Sequence, residues 1–320
     1  MGGNVFKGKT SSIRKEYILP TVEKYFAELG RVFPHKKEVF NRNYYKFVGS
    51  VLKKDVSGDI DYAIDVSTIA DKNFSAKSLA KWGLNKDEVQ EQMLKYKKRA
   101  RTATDSELMI RATMKGIVDK INAYADNIYC DEKKIGSGSI FTLFPQYNEA
   151  GERLDTGVQM DWLIGNMEWL EFSYYSDKYE GNVKGLHRTQ LILSMFNALG
   201  LSFNHQKGVK DMETGETVAK NPKEAIKILE DGYNIKLSKN IVNDYFKLME
   251  IVNKLPKKKK DEIIGTYLKI LDKTRCDIPE DLQDTWKKRK NELKLTGKFL
   301  PDNSMLVESS NFKKYIHSLM

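Results

Sequence analysis

The stretch from Val48 to Val66, "VGSVLKKDVSGDIDYAIDV", places a Gly-Ser pair, then Lys53 and Lys54, then acids at 59, 61 and 65 in an otherwise apolar run. Residues two apart in a strand share a face, so Asp59, Asp61 and Asp65 fall on one side and Ile60, Tyr62 and Ile64 on the other. Neighbouring carboxylates repel and resist ionising together unless something positive sits between them. A pair at i and i+2 can grip one or two divalent ions, and Mg²⁺ favours hard oxygen ligands combined with substrate phosphates. The preceding turn supplies what phosphates need. Gly49 allows close backbone approach, Ser50 offers a hydroxyl and amides, and Lys53 or Lys54 offers a cation.

These residues resemble the signature of the polymerase-β-like nucleotidyltransferase superfamily: a hydrophobic residue, Gly-Ser, a short spacer, and Asp-x-Asp on a strand. The matching positions are Val48, Gly49, Ser50, the spacer Val51 to Gly58, and Asp59-Ile60-Asp61, with "SGDID" (Ser57 to Asp61) as the approach to the acids. The resemblance spans roughly residues 40–200. It implies an α+β fold, in which a small mixed β-sheet nucleotidyltransferase domain with flanking helices precedes a mainly helical C-terminal domain. It also implies an NTP substrate, ATP included, and two Mg²⁺ ions ~4 Å apart, with Mn²⁺ as the alternative.

The family needs a third carboxylate on a neighbouring strand. Asp161 in "VQMDWLI" fits, because a single acid between Met160 and Trp162 in an apolar strand has little other reason to be there. Asp131 or Glu132 in "YCDEKKI" is the alternative, although the two lysines beside that pair suggest an exposed edge. On this reading Asp59, Asp61 and Asp161 are both metal ligands and catalytic residues. Gly49, Ser50, Lys53 or Lys54, and Gly58 surround the nucleotide. In "YEGNVKGLHRTQ", Lys184 and Arg188 lie one helical turn apart. They either bind nucleotide phosphates or form a salt-bridged helix start. Phe172, Tyr174 and Tyr175 either stack a base or pack in a core.

Outside the motif, the spacing predicts helix from Ser12 to Phe33, with Pro20 starting a second segment or kinking the first. "YYKFVGS" and "DIDYAIDV" read as strands, 85–126 as helical, and "NIYCDEKKI", "SIFTLFPQYN" and "VQMDWLI" as strands again. The "GSGS" at Gly136 to Ser139 reads as a turn. From 184 on the chain is expected to be mainly helical, apart from a hairpin in "FNHQKGVKDMETGETVA". Asn221-Pro222 and Ser238 start helices there, and Pro256 stops one. The expected organisation is an N-terminal helical segment at 1–40, a catalytic domain at 41–183, and a helical domain at 184–320.

The net charge of +10 points to an anionic partner. Two basic runs carry much of the excess, Lys254 to Ile263 and Trp286 to Lys294, and each reads either as an acceptor contact or as a solvated helix face. No apolar run reaches the ~20 residues a spanning helix requires. "MGGNVFKG" has no apolar signal core and carries Phe6 where a myristoylation signal wants Ser or Thr. A cytoplasmic protein without membrane contact is expected. Cys130 and Cys276 are far apart and read as buried free thiols. The acceptor is expected to be nucleic acid, RNA in preference, since no helix-hairpin-helix signature of a repair polymerase is present. The alternatives are synthesis of a cyclic or oligonucleotide signal, and a non-catalytic nucleic-acid-binding protein on the same fold. Oligomeric state is not legible.

Overall fold

The computed structural model describes residues 5–6, 8–41, 45–100, 103–131, 138–176, 182–183, 185–204, 208–274 and 276–295. The chain divides into two compact units, with the break between Leu170 and Glu171.

The first unit opens with β1 (Ile13–Arg14) and α1 (Lys15–Val32). Helix α1 runs through Pro20, whose ring forgoes the bond to the Glu16 carbonyl. A 3-10 segment, Pro34–Phe40, leads to β2 (Tyr45–Phe47), β3 (Val56–Ser57) and β4 (Ile60–Asp65). Four helices follow: α2 (Val66–Ile69), α3 (Ala76–Ala80), α4 (Lys86–Lys97) and α5 (Asp105–Tyr124). Helix α5 starts on a capping box, in which the Thr104 hydroxyl accepts from the Glu107 N–H and the Glu107 carboxylate accepts from the Thr104 N–H. Strands β5 (Tyr129–Cys130), β6 (Ser139–Tyr147) and β7 (Arg153–Gly165) complete the unit's β-structure. Helix α6 (Met167–Tyr174) carries the chain across the boundary.

The five-stranded sheet has the order β2-β4-β7-β6-β5, and only the β4–β7 pair is parallel. Parallel neighbours need a long crossover. The chain between β4 and β7 supplies it with α2 to α5 and the β5–β6 strands, which accounts for the hundred residues separating Asp61 from Asp161. One sheet face carries Ile60, Tyr62 and Ile64 of β4 and Met160, Trp162 and Ile164 of β7, all packed with Tyr25, Phe26 and Leu29 of α1. Inside this apolar layer the polar tips are paired. Trp162 Nε1 donates to Tyr25 Oη at 2.7 Å, and Tyr25 Oη bonds Thr142 Oγ1 at 2.8 Å. The other face carries the acids.

Among the described residues the second unit holds α7 (Gly185–Asn197), a three-stranded antiparallel sheet of β8 (Leu201–Asn204), β9 (Gly208–Asp211) and β10 (Thr217–Ala219), then five helices. These are α8 (Pro222–Tyr233), α9 (Lys239–Val242), α10 (Tyr245–Lys254), α11 (Lys257–Thr274) and α12 (Gln283–Leu295). Asn221 and Ser238 cap α8 and α9 through their side chains. Buried Leu191, Phe196, Leu248, Val252, Tyr267 and Leu271 form much of its core. The unit is mainly helical, and the expected hairpin has gained a third strand.

Candidate metal centre

The register of β4 on β7 sets Asp61 directly opposite Asp161. Asp59 immediately precedes β4 and shares the face. One carboxylate oxygen from each of Asp59, Asp61 and Asp161 lies within 4.8 Å of the others. Asp59 and Asp61 are half-buried, and Asp161 is buried. Burial and the Asp59 charge hold the Asp61 and Asp161 carboxyls well above the usual carboxylate range, with Asp161 adding to the effect on Asp61. Three crowded carboxylates with no soft ligand among them suit a hard divalent ion such as Mg²⁺ or Mn²⁺, whose charge would offset their mutual repulsion.

Gly49 is needed here for two reasons. Its φ is +63°, and a Cβ on it would stand 2.8 Å from Asp61 Oδ2. The close approach is therefore to the Asp61 carboxylate itself, while the Val48 N–H fastens the turn to the Asp61 carbonyl at 3.1 Å. Ser50 is half-buried, and its carbonyl accepts from the Lys53 N–H at 3.0 Å. Lys53 is exposed, Lys54 and Gly58 are half-buried, and all belong to the loop between β2 and β4. Leu52 in that loop also has positive φ, +62°. A non-glycine residue held there is a strained one, and such strain collects at functional turns.

Other acids and motif residues lie away from this cluster or outside the described residues. Asp65, on the acid face of the strand, caps α2: its carboxylate accepts from the Ser67 N–H at 2.9 Å and the Met167 N–H at 3.4 Å. Asp131 follows β5, the far edge strand of the sheet, separated from β7 by β6. Glu132 and Lys184 lie outside the described residues, as do Gly136 and Ser137 of the "GSGS" turn.

Arg188 corrects the expectation of a phosphate contact. Its side chain is fully buried, and its guanidinium donates to the carbonyls of Val242 at 2.7 Å, Ser173 at 3.2 Å and Phe172 at 2.5 Å. Those carbonyls belong to the last turns of α9 and α6, the negative ends of two helices, which explains why a cation is held there. Phe172 is also core, packed edge-on to Phe203 and under Arg188, while Tyr174 and Tyr175 are half-buried. His187 is buried with Nε2 bonded to the Asp277 carbonyl. Cys130 is buried and Cys276 half-buried, both as free thiols.

The residue missed from sequence is Gln159. Buried on the same strand face two positions before Asp161, its Nε2 donates to both Asp161 oxygens at 2.9 Å. A polar residue two before the acid in an apolar strand was the signal that pointed to it.

Among the described residues no helix is long and apolar enough to cross a membrane. No protein-family model and no curated protein matches the sequence. Among solved structures, the crystal structure of Leishmania infantum polymerase beta in a ternary gap complex matches over 78% of this chain and 70% of that one, at 11% identity and a TM-score of 0.28. That likeness is distant, and the reading of the site rests on its own geometry.

Proposed function

We propose that this chain is a metal-dependent nucleotidyltransferase that moves a nucleoside monophosphate from an NTP to an acceptor hydroxyl on nucleic acid, RNA in preference. The supporting observation is the set of three carboxylates gathered within 4.8 Å on adjacent parallel strands, with the Gly49 turn packed against one of them. A bound divalent ion would neutralise phosphate charge and acidify the attacking hydroxyl.

The chain's own residues divide the work. Asp59, Asp61 and Asp161 would hold the ion, and Asp161 on the neighbouring strand would also receive the proton of the acceptor hydroxyl as it attacks the α-phosphorus. The new oxygen–phosphorus bond forms as the bond to the β-phosphate oxygen breaks, releasing pyrophosphate. The Ser50 hydroxyl, the amides of the turn and Lys53 or Lys54 meet the charge that grows on that leaving group.

Incubation with each labelled NTP, Mg²⁺ and total RNA tests the reading. Label should enter RNA with the parent and not with Asp61→Asn. Label confined to a small product without RNA would move the reading to a nucleotide signal synthase. No labelled product with any NTP would overturn it.

A further inference from the structure

Gln159 links the metal centre to a segment far away in the chain. Its Oε1 accepts from the main-chain N–H of Val5 at 3.0 Å, while its Nε2 donates to both oxygens of Asp161. Because a backbone N–H can only donate, the amide's oxygen must face Val5 and its nitrogen must face the carboxylate. The carboxylate thus receives a donor with fixed direction, and its remaining lone pairs are left to the side of Asp59 and Asp61.

The N-terminal segment that bears Val5 is itself anchored. Phe6 is buried and packs edge-on against Tyr129, and Lys9 lies over the same ring. Ser11 N–H donates to the Gly157 carbonyl at 2.9 Å, and Thr10 bridges Gly157 in parallel. Gln146 ties the segment down with bonds to the Ser11 carbonyl, the Ser11 hydroxyl and the Gly157 carbonyl. A strap fixed at Gly157 of β7, Gln146 of β6 and Tyr129 of β5 therefore aims one N–H at the amide behind the third acid.

We propose that Gln159 is a positioning residue that orients Asp161 for metal binding, and that the Val5 N–H sets the orientation of Gln159. This rests on the metal-site reading above. Partners of this kind behind a ligand typically govern about 10–100-fold of metal affinity or activity.

The test is Mn²⁺ binding to the full chain, followed by electron paramagnetic resonance with no nucleotide present. Gln159→Met keeps volume and removes the donor, so it should weaken Mn²⁺ about 10–100-fold while the thermal melt stays cooperative. Val5→Pro removes the N–H from a segment at the edge of the fold. It should weaken Mn²⁺ several-fold in the parent and have no effect in the Gln159→Met background, since both act through one amide.

Where Gln159→Met folds, three results overturn the proposal. If the parent and Asp161→Asn bind Mn²⁺ differently but Gln159→Met binds like the parent, Gln159 has no positioning role and the metal reading survives. If Val5→Pro weakens binding equally in both backgrounds, the strap does not act through Gln159. If the parent binds no Mn²⁺ that Asp161→Asn abolishes, the metal reading falls and the proposal with it. Should Gln159→Met fail to fold, Val5→Pro in the parent alone decides, and an unchanged affinity overturns the link.

Discussion

A single glycine and a single carboxylate show how the site is built. Gly49 has φ +63° with Asp61 Oδ2 2.8 Å from where a Cβ would be, whereas Gly200 has φ +73° and open space. Alanine at either position pays roughly 1–2 kcal/mol for the left-handed backbone. Only Gly49→Ala must also push the carboxylate aside, so it should weaken Mg²⁺ binding where Gly200→Ala leaves it unchanged. Equal metal affinities for the two variants would show that the turn yields. For Asp61, neutralisation removes a like charge from a crowded, partly desolvated cluster. Asp61→Asn should therefore raise the melting temperature of the metal-free protein, by about 2–4 °C per kcal/mol relieved, and abolish the gain given by Mg²⁺. The pH dependence follows from the raised pKa of Asp61 and Asp161. Between the unfolded value of about 3.9 and the higher folded values, the native metal-free protein binds more protons than the unfolded chain. Its carboxyls thus support stability at low pH and lose that support as pH rises through the folded pKa. Mg²⁺ needs the deprotonated form, so its stabilising effect should grow over the same window. Melting scans with and without Mg²⁺ at several pH values check both slopes, and parallel curves would remove these acids from the metal site.

At the scale of elements, the sheet puts its apolar core and its cluster of acids on opposite faces. Tyr25 of α1 accepts from Trp162 Nε1 and bonds Thr142 on the apolar face. Tyr25→Phe leaves the indole N–H buried without that partner, which costs about 1–3 kcal/mol. Its Mg²⁺ affinity should stay within threefold of the parent, because the acids point the other way. A large loss of metal binding would mean that the two faces are coupled. The same separation decides what was legible in the sequence. Asp61 and Asp161 stand out because charge in an apolar strand demands a reason; period-two alternation puts Asp59 and Asp61 on one face, but only the β4–β7 register brings Asp161 opposite Asp61. Gly49 was legible as a turn glycine, but its approach to Asp61 depends on the fold of the loop. Arg188 misled because arginines near helix starts are usually exposed. Its burial comes from carbonyls of α6 and α9 that only tertiary structure brings to it. The strap from Val5 to Gln159 joins residues 154 apart, and no local pattern announces such a bond. The unbroken run of α1 through Pro20 likewise reflects packing on the sheet overriding a local break signal.

For the molecule as a whole, the question is what its positive charge is for. The two basic runs differ once their partners are known. In the run on α12, Lys287 pairs with Asp284 at 3.5 Å, and Lys290 pairs with Asp272 at 3.4 Å and lies over Trp286. Two cations of that run are thus paired within their own unit. On α11, Lys257, Lys258 and Lys259 are exposed, and no acid lies in the first turn. Lysines there oppose the helix dipole, at a cost of about 0.3–1 kcal/mol each where they are close to the first turn. A placement that works against stability suggests a use outside the fold, and a phosphate backbone is the partner its charge fits. Lys259 is the exception, since its Nζ donates to the Gly232 carbonyl at 2.7 Å and lies over Tyr233. Replacing Lys257, Lys258 and Lys260 with Gln should leave stability unchanged or slightly higher. It should also flatten the log-log salt dependence of RNA binding by roughly 0.7 for each single-strand phosphate that the glutamines no longer neutralise. Affinity for free NTP is the control, because the residues assigned to its phosphates belong to the first unit. An unchanged salt slope together with unchanged transfer to RNA would make this run a solvated helix face, and would turn the search for the acceptor toward a nucleotide, a protein or a small molecule.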